Sequence, residues 1–341
     1  MKHSWKLHRF GVALAAVGLV AVACGPIAES SGVASASSQK IVKIALVTGH
    51  ADGYYQAVVC GVRNEAKILH AKVVSAQGPQ TFSAAAQVPL IDAAIALKPQ
   101  ALIVVPTDVN ALNPTLNQIR ASGIKIVTTD TAVAPSAAKK FVSAQVLTDN
   151  AIGGIAAARA LGKAMNGTGT VLVINVAPGI ASTDARLAGF VSEMGSAYPS
   201  IKILPAQYDD NAPATASSLV TAAFASNTSI SGVYATNDNS VEGVVNGMQA
   251  AGKAGTVPLV GWDGLAVEIS ELNAGYINTL ILSNPEAEGS LAARQAILAV
   301  RGDKVSFNVK SPLTVVTKSN VNSKAAAPAI KSYSLSATSA C

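Results

Sequence analysis

The sequence is poor in charged, histidine and sulfur-containing residues, and each shortage excludes a class of function. Charged residues make up 13% of the 341 residues, and Lys and Arg form no clustered run. The concentrated basic face that nucleic-acid binding requires is therefore missing. Beyond residue 23 the histidines are His50 and His70, and no GxSxG, HExxH, CxxC or EF-hand spacing occurs. We expect no nucleic-acid partner, no enzyme activity, no metal and no cofactor.

A long apolar run occurs only near the start of the chain. Lys2, Lys6 and Arg9 precede an uncharged apolar stretch over residues 10–23, which ends at Cys24. This stretch is shorter than the roughly 20 residues needed to span a bilayer, and small residues stand before Cys24, as in signal peptides. The pattern predicts a lipoprotein signal peptide over residues 1–23 and a lipid on Cys24. A plain membrane anchor or a non-lipidated signal stays open, because Ala21 stands where leucine is usual.

The composition of the next segment predicts a flexible tether over residues 24–39. From Ala28 to Gln39 the chain is mostly Ser, Ala and Gly, which cannot bury enough apolar surface to fold. Together with the lipid, this predicts an exported protein held at the outer face of the cytoplasmic membrane or in the periplasm.

The chain has only three cysteines, and lipidation of Cys24 would leave Cys60 and Cys341 as an even pair. In an oxidising compartment such a pair favours a disulfide. Two unpaired thiols are the alternative. A bridge would attach the C-terminal tail to the first helix of the folded body.

From Lys40 onward, short β-branched runs alternate with longer Ala-rich amphipathic segments, which is typical of βαβ units with parallel sheets. We predict strands at 42–47, 72–75, 101–105 and 125–128. The same alternation begins again after Asp149, with strands predicted at 170–175, 201–207, 232–235, 257–261 and 279–282. The length exceeds the usual size of one domain. The predicted fold class is α/β, with two Rossmann-like lobes that carry doubly wound parallel sheets and are hinged around a central ligand cleft.

Short carboxylates, amides and aromatic residues follow nearly every predicted strand. Ligands of open α/β sheets lie outside the carboxyl ends of the strands. Asp and Asn can bond neighbouring hydroxyls, and Tyr and Trp faces lie against sugar rings, so this collection suits a hydroxyl-rich ligand. Each single Asp or Asn is equally well explained as a helix cap or loop residue. The joint placement is what favours a site.

The segments IALVTGHADGYYQAV, VVPTDVNAL, GIKIVTTDT, TDARLAGF, YATNDNSVEGV and VGWDG occur in the order found in sugar-binding proteins of bacterial ABC importers. The chain resembles the ribose-binding-protein-like branch of that family, which has the type I periplasmic binding fold. The resemblance implies two discontinuous lobes, residues 40–148 plus 284–312 and residues 149–283 plus 313–320, followed by a tail over 321–341. It also implies domain closure on a sugar or polyol and a permease partner.

The resemblance also implies the ligand-binding residues. They are Asp52, Tyr54, Tyr55, Asp130, Asp184, Asn237, Trp262 and Asp263. Asp184 stands where the family has an arginine, and nearby Arg186 is either a substitute positive charge or a supporting residue. Such departures mean that the resemblance does not name ribose as the ligand.

The sequence thus predicts a monomeric, exported solute-binding protein that captures a sugar or polyol and delivers it to an ABC import permease. Two alternatives stay open. The protein could present its ligand to a membrane receptor, or it could bind a cation such as an amino sugar, because several aspartates converge on the predicted cleft.

Overall fold

The computed structural model describes residues 40–334 and Cys341, so the predicted signal peptide, Cys24 and the tether lie outside the described residues. The strands, in chain order, are β1 (Val42–Val47), β2 (Ala71–Gln77), β3 (Ala101–Val104), β4 (Lys125–Thr129), β5 (Ala144–Thr148), β6 (Gly169–Asn175), β7 (Ile201–Ile203), β8 (Gln207–Tyr208), β9 (Ile230–Ala235), β10 (Leu259–Trp262), β11 (Thr279–Leu282), β12 (Asn308–Ser311) and β13 (Thr314–Thr317). The helices are α1 (Gly53–Ile68), α2 (Ala84–Ala96), α3 (Asn113–Ala121), α4 (Pro135–Phe141), α5 (Asn150–Ala164), α6 (Ala181–Ala197), α7 (Pro213–Ser226), α8 (Asp238–Ala250), α9 (Ala266–Ala274), α10 (Pro285–Arg301) and α11 (Ala327–Ser334).

The strands form two sheets, each with helices on both faces. The first sheet has the order β12-β5-β4-β3-β1-β2, and all of its described strands are parallel. The second has the order β13-β11-β10-β9-β6-β7, with β8 beside β6, and β13 runs antiparallel to its neighbour. These are two doubly wound lobes, so the predicted fold class is confirmed.

The chain passes between the two sheets after β5, between β11 and β12, and between β12 and β13. The last two passages return the chain to the first sheet for one strand and then to the second. In each sheet the polar loops leave the carboxyl ends of parallel strands. This topology lets loops from both sheets meet at one cleft.

The packing of α1 on α10 depends on two glycines. A Cβ on Gly61 would clash with the backbone oxygen of Glu286, and a Cβ on Gly289 would clash with that of Val58. The two helices therefore approach to backbone contact over the first sheet. Their N-terminal ends carry Tyr54 and Glu288, which this approach brings into hydrogen-bonding range.

Several elements differ from those that the sequence predicts. Helix α4 and strand β5 are not in the prediction, and the strand predicted over residues 201–207 is two short strands. Pro205 lies in the gap between them and has no N–H to continue the ladder. The segment expected to be a tail carries α11, which packs against α1 and α10.

In the described chain, Cys60 on α1 is disulfide-bonded to Cys341, with Cα atoms 5.1 Å apart and a sequence separation of 281 residues. The bridge therefore joins the last residue of the sequence to the helix that begins at the cleft. Among residues 40–334, no helix combines the length and the apolar character needed to cross a membrane.

Candidate ligand-binding site

A cleft between the two lobes encloses a cavity of about 40 Å³. This is below the roughly 300–1,000 Å³ found for small-molecule sites, so the two walls lie close together in this conformation. The loops after the strands of both sheets contribute its walls. The lining residues are Asp52, Tyr54, Tyr55, Phe82, Asp130, Val176, Ile180, Ser182, Thr183, Arg186, Asn211, Asn237, Asp238 and Asp263.

Asp52 both caps a helix and lines the cleft. Its Oδ1 accepts a hydrogen bond from the backbone N–H of Tyr55 at 3.0 Å, which satisfies a free donor at the start of α1. Its Oδ2 lies 3.0 Å from Nδ1 of His50, and this hydrogen bond raises the pKa of His50. The capping and binding interpretations of Asp52 are therefore compatible.

Asp130 is the centre of a buried hydrogen-bond network on the first lobe. The hydroxyl of Tyr55 donates to its Oδ2 at 2.8 Å, and the hydroxyl of Tyr54 lies 3.4 Å from its Oδ1. Tyr54 makes its shorter hydrogen bond, 2.9 Å, to Oε2 of Glu288, whose other oxygen accepts from Thr148. The two tyrosine rings meet edge to face, with centroids 5.2 Å apart. The network holds both rings against the cleft wall.

Arg186 is the only cationic side chain among the described residues that line the cleft. It is 3% exposed, and its guanidinium donates to the side chain of Asn150 and to the backbone oxygen of Thr236, both at 2.8 Å. Its carbon Cζ lies 3.8 Å from the centre of the Trp262 ring, and its Nη1 is 3.9 Å from Oδ2 of Asp263. Burial opposes its charge, but Asp263 and Asp130 outweigh burial and raise the pKa of Arg186.

The amides of the second lobe form a smaller network. Asn237 caps α8 through a hydrogen bond from the backbone N–H of Ser240, and its amide nitrogen donates to Asn211 at 2.6 Å. The next residue, Asp238, is 5% exposed, and its Oδ2 has no hydrogen-bond partner within the described part of the chain. A buried oxygen of this kind on the cleft wall is available to a ligand.

Asp130 and Asp263 both have backbone conformations in the left-handed region, with φ of 61° and 74°. Each stands directly after a strand, and Asp tolerates this conformation better than most residues. Asp263 is 2% exposed, and its Oδ1 accepts from the hydroxyls of Ser283 at 2.8 Å and Tyr333 at 2.9 Å. The turn thus aims the carboxylate into the cleft from a fixed position.

Two residues of the predicted site are not among the described residues that line the cleft. Asp184 accepts from the backbone N–H of Gly179 at 2.8 Å, so it holds the loop before α6. Trp262 is fully buried behind Arg186, and its ring nitrogen donates to the hydroxyl of Tyr234 at 2.8 Å. The other members of the predicted set line the cleft. They are Asp52, Tyr54, Tyr55, Asp130, Asn237 and Asp263.

Several residues at the cleft are absent from the predicted set, although a sequence signal exists for some of them. Phe82 lies in the loop after β2, a strand end that carries no Asp, Glu or Asn. Asp238 follows Asn237 directly and shares its strand-end position. Arg186 enters the prediction only as a substitute charge or a supporting residue. Tyr333, which contacts Asp263, comes from a segment with no motif.

Acidic groups outnumber basic ones around the cleft, and burial raises the pKa values of three of the aspartates. Burial raises the pKa of Asp130 to about 6, although Arg186 and the Tyr55 hydroxyl oppose the rise. Burial also raises the pKa values of Asp238 and Asp263, with neighbouring carboxylates adding to the effect. A carboxylate accepts hydrogen bonds, whereas a guanidinium or an amide nitrogen donates them. The cleft therefore offers acceptors on its aspartates and donors on Arg186 and Asn237.

Glu288 gives the ligand-free protein a pH-dependent stability. Burial, with the nearby Asp130, raises its pKa to about 8, although hydrogen bonds from Thr148 and Tyr54 oppose the rise. The folded state therefore holds this proton where the unfolded chain, with a pKa of about 4.3, has lost it. The free energy of unfolding should fall as the pH rises from about 4.5 to about 8, by at most about 1.4 kcal/mol per pH unit from this group.

Urea unfolding of the ligand-free protein across that pH range tests this expectation. The E288Q variant should show a shallower fall, because glutamine cannot lose a proton. The matched control is E286Q, since Glu286 lies on the same helix and is partly exposed. Parallel pH profiles for E288Q and the wild type would contradict the assignment of this proton to Glu288.

Comparison with known proteins agrees with this architecture. The family model described as a periplasmic binding protein domain matches residues 44–304. A ribose import binding protein of Bacillus subtilis (strain 168) is 24% identical over 267 residues, which are 78% of this chain and 83% of that protein. A D-allose-binding periplasmic protein of Escherichia coli (strain K12) is 28% identical over 257 residues, 74% of this chain and 82% of that protein.

Among solved structures, an ABC transporter solute-binding protein from Agrobacterium vitis, bound with alpha-D-tagatopyranose, is similar with a TM-score of 0.81. It is 34% identical, and the match covers 85% of this chain and 99% of that one. Proteins of this kind bind solutes outside the cytoplasm and do not transform them. With most of its length matched by the family model, this chain belongs to the periplasmic binding protein family.

Proposed function

We propose that this protein captures a monosaccharide, or a polyol of similar size, and delivers it to the permease of an ABC importer. The observation that carries the proposal is the cleft between the lobes. Its walls combine carboxylates and amides with the faces of Tyr54, Tyr55 and Phe82 around the guanidinium of Arg186. Paired hydroxyls find acceptors and donors there, and the C–H face of a sugar ring finds aromatic surfaces.

The narrowness of the cleft favours one ring or a short linear polyol over an oligosaccharide. A cavity of about 40 Å³ between the two lobes leaves no room for several rings, and even one ring requires the lobes to move apart. The relatives described above, whose names refer to ribose, D-allose and tagatopyranose, support the same size class.

Ligand capture would proceed by domain closure. Asp52, Tyr54, Tyr55 and Asp130 would hold the ligand from the first lobe, while Arg186, Asn237 and Asp263 would hold it from the second. A ligand that contacts both walls favours the closed form by the difference in its affinity for the two forms. The chain crossings near Thr148 and Asn284 would absorb the motion.

The excess of aspartates in the cleft favours a second candidate ligand, a cationic solute such as an amino sugar. Asp52, Asp130, Asp238 and Asp263 share the cleft with Arg186. The guanidinium of Arg186, whose Nη1 lies 3.9 Å from Oδ2 of Asp263, argues for the neutral ligand, because it would repel a bound cation. The composition of residues 1–39 supports export and a lipid on Cys24 as part of the same proposal.

A thermal-shift screen of residues 38–341 tests the proposal. The panel contains D-ribose, D-allose, D-tagatose, xylitol and, as the cationic probe, D-glucosamine, each at millimolar concentration. A sugar present at about 100 times its Kd should stabilise the fold by roughly 2.7 kcal/mol, which shifts the melting temperature by several degrees. A response to neutral compounds supports the proposal, whereas a response to D-glucosamine alone would replace it with the cationic alternative.

A further inference from the structure

The C-terminal helix α11 places a tyrosine, which no strand-end motif supplies, against Asp263 of the cleft wall. Tyr333 is 2% exposed, and its hydroxyl donates to Oδ1 of Asp263 at 2.9 Å. The same hydroxyl lies 3.2 Å from the backbone oxygen of Ser283 and 3.0 Å from its side-chain oxygen. Tyr333 is thus hydrogen-bonded where the chain leaves β10 and where it leaves β11 for the first sheet.

Asp263 depends on these neighbours for its orientation. One oxygen of its carboxylate, Oδ1, accepts from both the Ser283 and the Tyr333 hydroxyl. The other oxygen, Oδ2, lies 3.9 Å from Nη1 of Arg186. Two donors on one oxygen fix the plane of the carboxylate, and Oδ2 is then directed to the guanidinium and the cleft.

Helix α11 is attached to the first lobe, whereas Asp263 belongs to the second. The helix packs against α1 and α10, and the ring of Tyr333 lies with its centroid 6.2 Å from that of Tyr54. The Cys60–Cys341 disulfide adds a covalent link between α1 and the residue that ends the sequence. The Tyr333 hydroxyl therefore connects a carboxylate on one wall to the helix layer that carries the aromatic residues of the other wall.

We infer that Tyr333 is a positioning residue for ligand binding, which acts by holding Asp263 in its binding orientation. The inference rests on the proposed function in that the bound molecule is a sugar or polyol that Asp263 contacts. The segment after β13 then contributes to ligand binding as well as to the packing of the fold.

The first test needs no ligand. In residues 38–341 Trp262 is the sole tryptophan, and it directly precedes Asp263. We therefore expect its emission to respond to the charge of Asp263, together with that of its neighbours, as the pH is changed from about 4 to about 8. The hydroxyl of Tyr333 stabilises the ionised carboxylate, so Y333F should move the midpoint upward. The control is Y276F, because Tyr276 is 37% exposed.

Other groups near Asp263 also titrate or carry charge, and they are the same in the wild type and in Y333F. They are Arg186, Asp52, Asp130, Asp238, Glu268 and Tyr54. The comparison of variants isolates the Tyr333 contribution. A midpoint in Y333F equal to that of the wild type would overturn the inference.

The second test measures affinity for the sugar of the panel that stabilises the wild type most. Y333F should bind it roughly 10-fold more weakly, the effect of one hydrogen bond to a charged group. In a D263N background the same change should cost little more, because the partner is already altered. Equal losses in both backgrounds would mean that Tyr333 does not act through Asp263. If no panel sugar binds the wild type, the proposed function fails, while the emission titration still decides the role of Tyr333.

Discussion

The R186M variant should lose both sugar binding and several kcal/mol of stability. Arg186 is buried between Asp263 and the Trp262 ring, and no other described residue on the cleft wall is cationic. Methionine fills similar volume but leaves Asp130 and Asp263 without a positive neighbour. Removing one partner of a buried ion pair lowers the free energy of unfolding by about 3–5 kcal/mol. Urea unfolding and binding of the panel sugar measure the two effects.

Measuring the stability of R186M at several pH values tests whether the missing positive charge causes its loss of stability. Without the guanidinium the pKa values of Asp130 and Asp263 should rise further, so these carboxyls protonate as the pH falls. The stability of R186M should therefore approach that of the wild type in acid. The control R159M removes a 66%-exposed arginine paired with Glu193 and should leave stability close to that of the wild type. Sugar affinity within a few-fold of wild type in R186M would remove Arg186 from the site.

The D130N variant should bind sugar at least about 100-fold more weakly, since hydrogen bonds that involve a charged group contribute about 1.5–3 kcal/mol each. The stability of the ligand-free D130N protein, in contrast, should not fall. Burial raises the pKa of Asp130 to about 6, so the ionised carboxylate costs the ligand-free fold some stability above that pH. Asparagine keeps the shape without the charge, and the free energy of unfolding near pH 8 should be unchanged or higher.

Calorimetric titration with the panel sugar and urea unfolding near pH 8 measure the two quantities for D130N. The control D92N alters an exposed aspartate on α2 and should change neither. A fall in stability together with the loss of binding would mean that Asp130 serves the fold, because a residue selected for binding alone should not stabilise the ligand-free protein.

The positions of most strands and the polar loops that follow them could be predicted from the sequence. Apolar runs such as Ala101–Val104 are continuous because both faces of a parallel strand are buried, and the loops after them carry the polar residues. Because carboxyl ends of parallel strands meet at one edge, the sequence alone suffices to group Asp52 with Asp130 on the first sheet. Asp263 follows a strand of the second sheet, and it meets them only because the two sheets face the same cleft.

The orientation of single side chains could not be predicted in the same way. Asp184 and Arg186 are two residues apart on α6, which is about 200° around a helix, so only one of them can face the cleft. Which one does so depends on where the helix begins. Trp262 and Asp263 are consecutive, and neighbours along a strand point to opposite sides. That alternation indicates from the sequence alone that Trp262 and Asp263 do not both face the cleft.

The contribution of Tyr333 has no local signal in the sequence. It is 70 residues from Asp263, and it lies in a short helix whose neighbours are mainly Ala, Ser and Lys. Only the packing of α11 on α1 and α10 brings the two side chains together. Contacts of this range follow from tertiary structure, which a pattern of residues along the chain does not encode directly.

The bridge between Cys60 and Cys341 has a practical consequence for protein engineering. Because Cys341 is bonded to α1, a purification tag or fluorescent reporter fused after Cys341 would begin beside Tyr55, Gln56 and Arg63, which line the same pocket as Cys341. That pocket shares Asp52 and Tyr55 with the ligand cleft, so a bulky fusion there would disturb the residues whose response to sugar it is meant to measure. Preparations made in a reducing cytosol would also lack the bridge. Biosensors built from this scaffold should therefore carry their fluorophore within the second lobe and be produced by secretion.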